Sequence, residues 1–110
     1  PVSSRPPALS DAAVRDVLGH LGDRWSLVNR DGKASLAATF RFAVPRAAED
    51  FVVDAFGAID ALDHHPVIEI AYTTVTVATS THEPLGITQL DLDLAAAVSD
   101  LAERHGALGS

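Results

Sequence analysis

Apolar residues recur at helical spacing in three stretches of this chain and at strand spacing between them. Val14, Val17, Leu18 and Leu21 repeat every three or four positions, which marks one apolar face of a helix. Ser10 ahead of them suits an N-cap, Asp11 suits the first turn and Gly22 marks the end. Trp25 to Arg30 and Ser35 to Phe42 read as strands about an Asp31-Gly32 turn, with Leu36, Ala38, Phe40 and Phe42 alternating onto one face. Pro45 fits the first turn of a second helix, whose Ala48, Phe51, Val52, Ala55, Ile59 and Leu62 lie opposite Glu49, Asp50 and Asp54. Pro66 disfavours helical geometry at His65, so this helix ends at the histidine pair. Val67 to Tyr72 and Thr74 to Thr79 are rich in β-branched residues, but no Gly, Pro or Asn stands between them. Periodicity therefore admits one long strand or two. Glu83-Pro84-Leu85-Gly86 reads as a loop. Thr88, with Asp91 three residues on, opens a helix running to about His105 with Leu90, Leu94, Val98 and Leu101 as its buried stripe.

A chain of 110 residues makes one domain. The patterned part spans 8–106, and the small, Pro- or Gly-bearing ends 1–7 and 107–110 are expected to be flexible. With 47% hydrophobic and 21% charged residues the chain is globular and not disordered. No apolar run reaches the roughly 18 residues of a membrane span. Eight Lys+Arg against fifteen Asp+Glu give a net charge of −7, which disfavours nucleic acid and anionic lipid as partners. The absence of cysteine excludes disulfides, thiolate metal sites and thiol catalysis. Without a leader-like opening, a cytoplasmic location is expected.

Three of the five histidines, His64, His65 and His82, fall between Asp60 and Asp91. Histidine titrates closest to neutrality, so convergent imidazoles suit proton transfer. The pair follows a helix C-terminus, whose carbonyl ends favour a protonated ring, and Asp60 one turn earlier is within reach of His64 to hold its tautomer. Adjacent residues of a regular strand point to opposite faces, but at a helix-to-strand corner both histidines can approach one cleft, with His82 closing its far side.

The order Asp60, three residues, His64-His65-Pro66, five residues, Tyr72, nine residues, His82, eight residues, Asp91 resembles the signature of the pterin-4a-carbinolamine dehydratases. Ser80-Thr81-His82, Gly86-Ile87-Thr88, Trp25 before a strand and Phe40-x-Phe42 before a helix are similar to that family too. The resemblance favours two strands between 67 and 79. It implies an α+β fold of order α-β-β-α-β-β-α, an antiparallel four-stranded sheet with helices packed on one face, so that apolar stripe and apolar sheet face cover each other.

The implied activity is that of a lyase, dehydrating 4a-hydroxytetrahydropterin to quinonoid dihydropterin in tetrahydrobiopterin recycling. The resemblance gives His64 and His82 as general acids and His65 as a binding group with base character. Asp60, Asp63 and Asp91 would orient the histidines or bind substrate, and the backbone of Ser80, Thr81 and His82 would pair with the pterin's amide-like edge. No metal or organic cofactor is implied, and the assembly would be a homodimer or homotetramer. Asp60 stands where the family usually has Glu, Val67 and Ile68 replace acidic and aromatic residues, and Ala37-Ala38-Thr39 lacks a common basic residue.

Blander readings stand beside these. Helix capping alone explains Asp91, a solvated acidic face explains Asp60, helix-end dipoles explain His20 and His105, and Tyr72 and Trp25 suit a core or an interface. Relatives of the implied fold also act as a dimerisation cofactor of a transcription factor and as a Rubisco assembly factor, which makes a non-catalytic scaffold the alternative. His64, His65, His82 and Asp91 as ligands of one zinc ion are a third possibility.

Overall fold

A computed structural model describes residues 6–109. The elements are α1 (Asp11–Leu21), β1 (Trp25–Arg30), β2 (Lys33–Arg41), α2 (Pro45–Leu62), β3 (Val67–Ala71), β4 (Thr74–Thr79), β5 (Thr81–His82), β6 (Leu85–Gly86) and α3 (Gln89–Arg104). Strands β1 to β4 form one antiparallel sheet of order β1-β2-β4-β3, with the three helices on one face. This is the α+β arrangement the pattern and the resemblance imply. One expectation is corrected: the Glu83-to-Gly86 loop is a tight turn whose flanks pair, Thr81 with Gly86 and His82 with Leu85.

Local chemistry sets each boundary. Ser10 caps α1 by accepting from Ala13 N–H, and Pro45 occupies the first turn of α2. The β1–β2 connection is a two-residue turn in which Asp31 (φ 53°) and Gly32 (φ 80°) are both left-handed, and Arg30 pairs directly with Lys33. That geometry is the type I′ hairpin, which Asp-Gly favours because Gly carries no Cβ to clash. The β3–β4 connection is equally short, but Tyr72 takes the left-handed position at φ 57°. No turn-forming residue type announces it, which is why periodicity left the strand count open.

Alternation then builds the core. Leu36, Ala38 and Phe40 of β2 and Val75 and Val77 of β4 face the helices, where they meet Phe51 and Ile59 of α2 and Leu94 and Val98 of α3. Phe51 lies at the centre, with its ring 5.3 Å from Phe40 and 5.2 Å from Phe42 between centroids. Trp25 belongs to this core, its indole N–H donating to Ser99 Oγ at 2.6 Å. The buried stripe of α3 runs through Leu94, Ala95, Val98 and Ala102, with Leu90 and Leu101 only partly covered. Ala95 and Ala102 take buried positions in this stripe, which a search for large apolar residues passes over. Beyond α3, Leu108 pairs with Arg41, and the Arg24 guanidinium donates to the carbonyls of Leu108 and Gly109. The expected flexibility of 1–5 and 110 lies outside the described residues. Among the described residues no helix is long and apolar enough to cross a membrane.

Tyr72 is 78% exposed, so it contributes little to this core while holding a backbone conformation costly for a bulky side chain. Tyr72→Asn is expected to raise the unfolding free energy by about 0.5–1 kcal/mol, because Asn tolerates the left-handed region. Urea denaturation would show this as a higher midpoint at unchanged slope.

Candidate functional site

The Asp91 carboxylate, in the first turn of α3, is fully buried. Oδ1 accepts from Thr79 Oγ1 at 2.6 Å and from His64 Nε2 at 2.6 Å. Oδ2 accepts from Thr81 Oγ1 at 2.6 Å and from the Thr88 backbone N–H at 2.9 Å. Thr88 in turn caps α3, its Oγ1 accepting from Leu90 N–H, and lies 2.9 Å from Thr81 Oγ1. Since Thr81 donates its one hydroxyl proton to Asp91, Thr88 must donate to Thr81. The capping box foreseen for Thr88 and Asp91 is present, and the same carboxylate also holds a histidine. Capping and histidine binding are one arrangement.

His64 is therefore tied to α3, 27 positions away in sequence, by a nitrogen that carries a proton. A neutral ring bound this way leaves Nδ1 as its basic atom. The expected Asp60–His64 contact is corrected: Asp60 is exposed, and among the described residues the side-chain partner of His64 is Asp91. Asp60 points away because it sits on the outer face of α2, while its backbone carbonyl accepts from Asp63 N–H as the helix ends. Asp63 is the left-handed C-cap of α2 at φ 48°, with its carboxylate 3.5 Å from His65 Nε2.

The two adjacent histidines part company. His64 shares strand parity with Ile68, which packs on the core, whereas His65 shares it with Val67, which faces the other way. Residues 78–82 divide similarly, Thr79 and Thr81 going to Asp91 while Ala78, Ser80 and His82 go to the sheet's open face. On that open face, at the end marked by the β1–β2 turn, lies a cavity of about 170 Å³. His65 and His82 line it with Ser35, Ser80, Val67, Ala78, Arg30, Asp31 and Lys33. His64, its side chain 11% exposed, stands behind this cavity and is not among its lining residues. The expectation that both members of the pair approach one cleft is thus corrected by strand alternation.

Of the anticipated site residues, the cavity gathers His65, His82 and Ser80, the Asp91 network gathers His64 and the Thr81 hydroxyl, and Asp60 joins neither. Sequence reasoning missed Thr79 as a partner of Asp91 and Arg30, Lys33 and Ser35 as cavity lining. Parity could have found them, since Ser35 and Lys33 lie on the face opposite Leu36, and Thr79 on the face opposite Ser80. Lys33 Nζ is 3.4 Å from His82 Nδ1. An ammonium only donates, so this contact leaves His82 with its ring proton on Nε2. Among the described residues no three His, Asp or Glu side chains converge as a metal site requires.

Removing one acceptor oxygen tests the network directly. Asp91→Asn is expected to cost about 3 kcal/mol of stability, because buried donors lose a charged partner and the new amide N–H₂ faces other donors. Urea unfolding measured beside wild type reads the loss.

Residues 7–101 match the family model described as pterin 4 alpha carbinolamine dehydratase. A protein of Chloroflexus aurantiacus, provisionally named a pterin-4-alpha-carbinolamine dehydratase, is 38% identical over 95 residues, covering 86% of this chain and 97% of its own. A Rhizobium meliloti protein with the same provisional name is 37% identical over 99 residues, covering 90% of this chain and 92% of its own. The crystal structure of a transcriptional coactivator/pterin dehydratase from Brucella melitensis aligns with a TM-score of 0.78 at 30% identity, covering 87% of this chain and 99% of that one. A pterin dehydratase-like protein identified as a RuBisCO assembly factor in the alpha-carboxysome aligns at 0.63 with 19% identity, over 76% and 94% of the two chains, a likeness of fold alone. Matched over most of its length in both sequence and architecture, this chain belongs to the pterin-4a-carbinolamine dehydratase family.

Proposed function

We propose that this chain dehydrates a 4a-hydroxytetrahydropterin to the quinonoid dihydropterin and water, as a step of tetrahydrobiopterin recycling. The observation that carries the reading is that His65 and His82 line one cavity together with the apolar cross-strand pair Val67 and Ala78. A space of about 170 Å³ takes one ring of the bicycle, since a cavity of about 150 Å³ accepts benzene, and the second ring with its side chain would lie at the open mouth.

In this reading the C4a–O bond breaks as His82, with its proton on Nε2, donates to the departing hydroxyl, which leaves as water. The ring N5–H proton passes to a base and its electron pair becomes the new C4a–N5 π bond. His65 fits that task as the second imidazole of the cavity, its Nε2 3.5 Å from the Asp63 carboxylate, which favours the ring once it has taken the proton. His64, held by Asp91, is the third proton-handling group through Nδ1. Ser80 and the backbone of Thr81 and His82 would bind the amide-like edge of the pterin, with Asp63 at the approach. Exposed Val53 and Phe56 on the outer face of α2 support assembly as a homodimer or homotetramer within the same reading.

General acid and base groups of this kind are worth roughly 10²–10⁴-fold in rate. His65→Ala and His82→Ala are each expected to lower kcat for dehydration at least about 10²-fold, and His64→Ala to lower it too, read by stopped-flow absorbance. Wild-type rates in all three would defeat the reading. A protein that accelerates nothing and binds no pterin, but captures a partner protein, would belong to the scaffold class.

A further inference from the structure

We propose that this cavity prefers a pterin that carries a phosphate ester on its side chain, held by Arg30 and Lys33. The inference rests on the dehydratase reading and extends it from tetrahydrobiopterin, whose side chain carries hydroxyls alone, to phosphorylated pterins.

The type I′ turn sets Arg30 directly opposite Lys33 on the sheet's open face, and both line the cavity. Like charges directly opposed across a strand pair repel, and this chain has the means to avoid that. It carries fifteen acidic residues against eight basic ones. Yet among the described residues four basic side chains, Arg15, Arg30, Lys33 and Arg41, are in no ion pair, and of these Arg30 and Lys33 are the two that line the cavity. The nearby carboxylate is Asp31, which also lines the cavity. Its left-handed backbone, which Asp accepts more readily than most residues, accounts for its place in the turn. Asp31 offsets one positive charge and leaves an excess of one on this wall, apart from the imidazoles of His65 and His82.

An anion between the two cations removes their repulsion. Phosphate fits this donor set, because guanidinium presents a planar fork to two phosphate oxygens and ammonium adds a compact charge beside it. Lys33 Nζ lies 3.4 Å from His82 Nδ1, so the anion position adjoins the proton-handling groups. The wall and the reacting ring thus belong to one ligand, with Val67 and Ala78 under the ring and the hairpin end holding a charged tail. The two serines, Ser35 and Ser80, add hydroxyl donors to the lining.

The test compares neopterin with its terminal monophosphate ester by fluorescence titration, using wild type and an Arg30→Ala/Lys33→Ala double variant. Melting curves confirm that the variant folds, as both residues sit at the hairpin end and outside the core. Wild type is expected to bind the ester about tenfold more tightly, the order a charge-assisted pair provides at a partly exposed site. That ratio should collapse to about one in the double variant and shrink in wild type as salt rises. Inorganic phosphate should compete with the ester more than with neopterin. Equal wild-type affinity for both pterins, or a preference that survives in the double variant, overturns the phosphate assignment and leaves the dehydratase reading standing. If neither pterin binds, both fall.

Discussion

One buried carboxylate organises this molecule's functional end. Asp91 takes four donors from four separate places: the corner after α2, the end of β4, β5 and the N-cap of α3. An ionised carboxylate offers acceptor sites on both oxygens, and a buried one is tolerable only when they are filled. Here they are, and among the described residues no buried side-chain polar atom is left without a partner. Because every donor comes from a different element, the helix start, the last long strand and the histidine corner keep one relative position. His64 is oriented by this bond, and the direction of its free nitrogen follows.

The sheet acts on the same residues by a different rule. Strand alternation sends each neighbour of an Asp91 ligand to the opposite face, so fixing His64 inward fixes His65 outward, and fixing Thr79 and Thr81 inward fixes Ser80 and His82 outward. A network on the core side therefore positions a cavity on the open side. The family departures fit this division. Val67 lines the cavity, and Ile68 packs on the core and is not among the lining residues, so the change at 68 does not alter the cavity wall.

Most of the fold was legible in the sequence, because each boundary had a local chemical cause: Ser10 at one helix start, Pro45 at another, Asp31-Gly32 between strands and Thr88 with Asp91 at the third helix. The β3–β4 turn was illegible since Tyr72, a residue with no turn preference, holds a left-handed conformation that the paired strands impose. The site was legible in its residue types and less so in its partnerships. Asp60 is one turn from His64 in sequence, and proximity along a helix suggested a contact. The true partner lies 27 positions on, brought close by tertiary packing that periodicity does not encode. Arg30 and Lys33 escaped notice because hairpin charges look like ordinary solvated surface until register and parity put them on the wall that His82 shares.

The most direct test of this account is the protonation of the His64 ring, read from ¹⁵N chemical shifts of its imidazole nitrogens near neutral pH. The structure predicts a proton fixed on Nε2 by Asp91, with Nδ1 free to exchange, and loss of that fixed pattern when Asp91 is replaced by Asn. A ring whose proton sits on Nδ1, or whose nitrogen shifts ignore the Asp91 substitution, would contradict the carboxylate's place at the centre of the site.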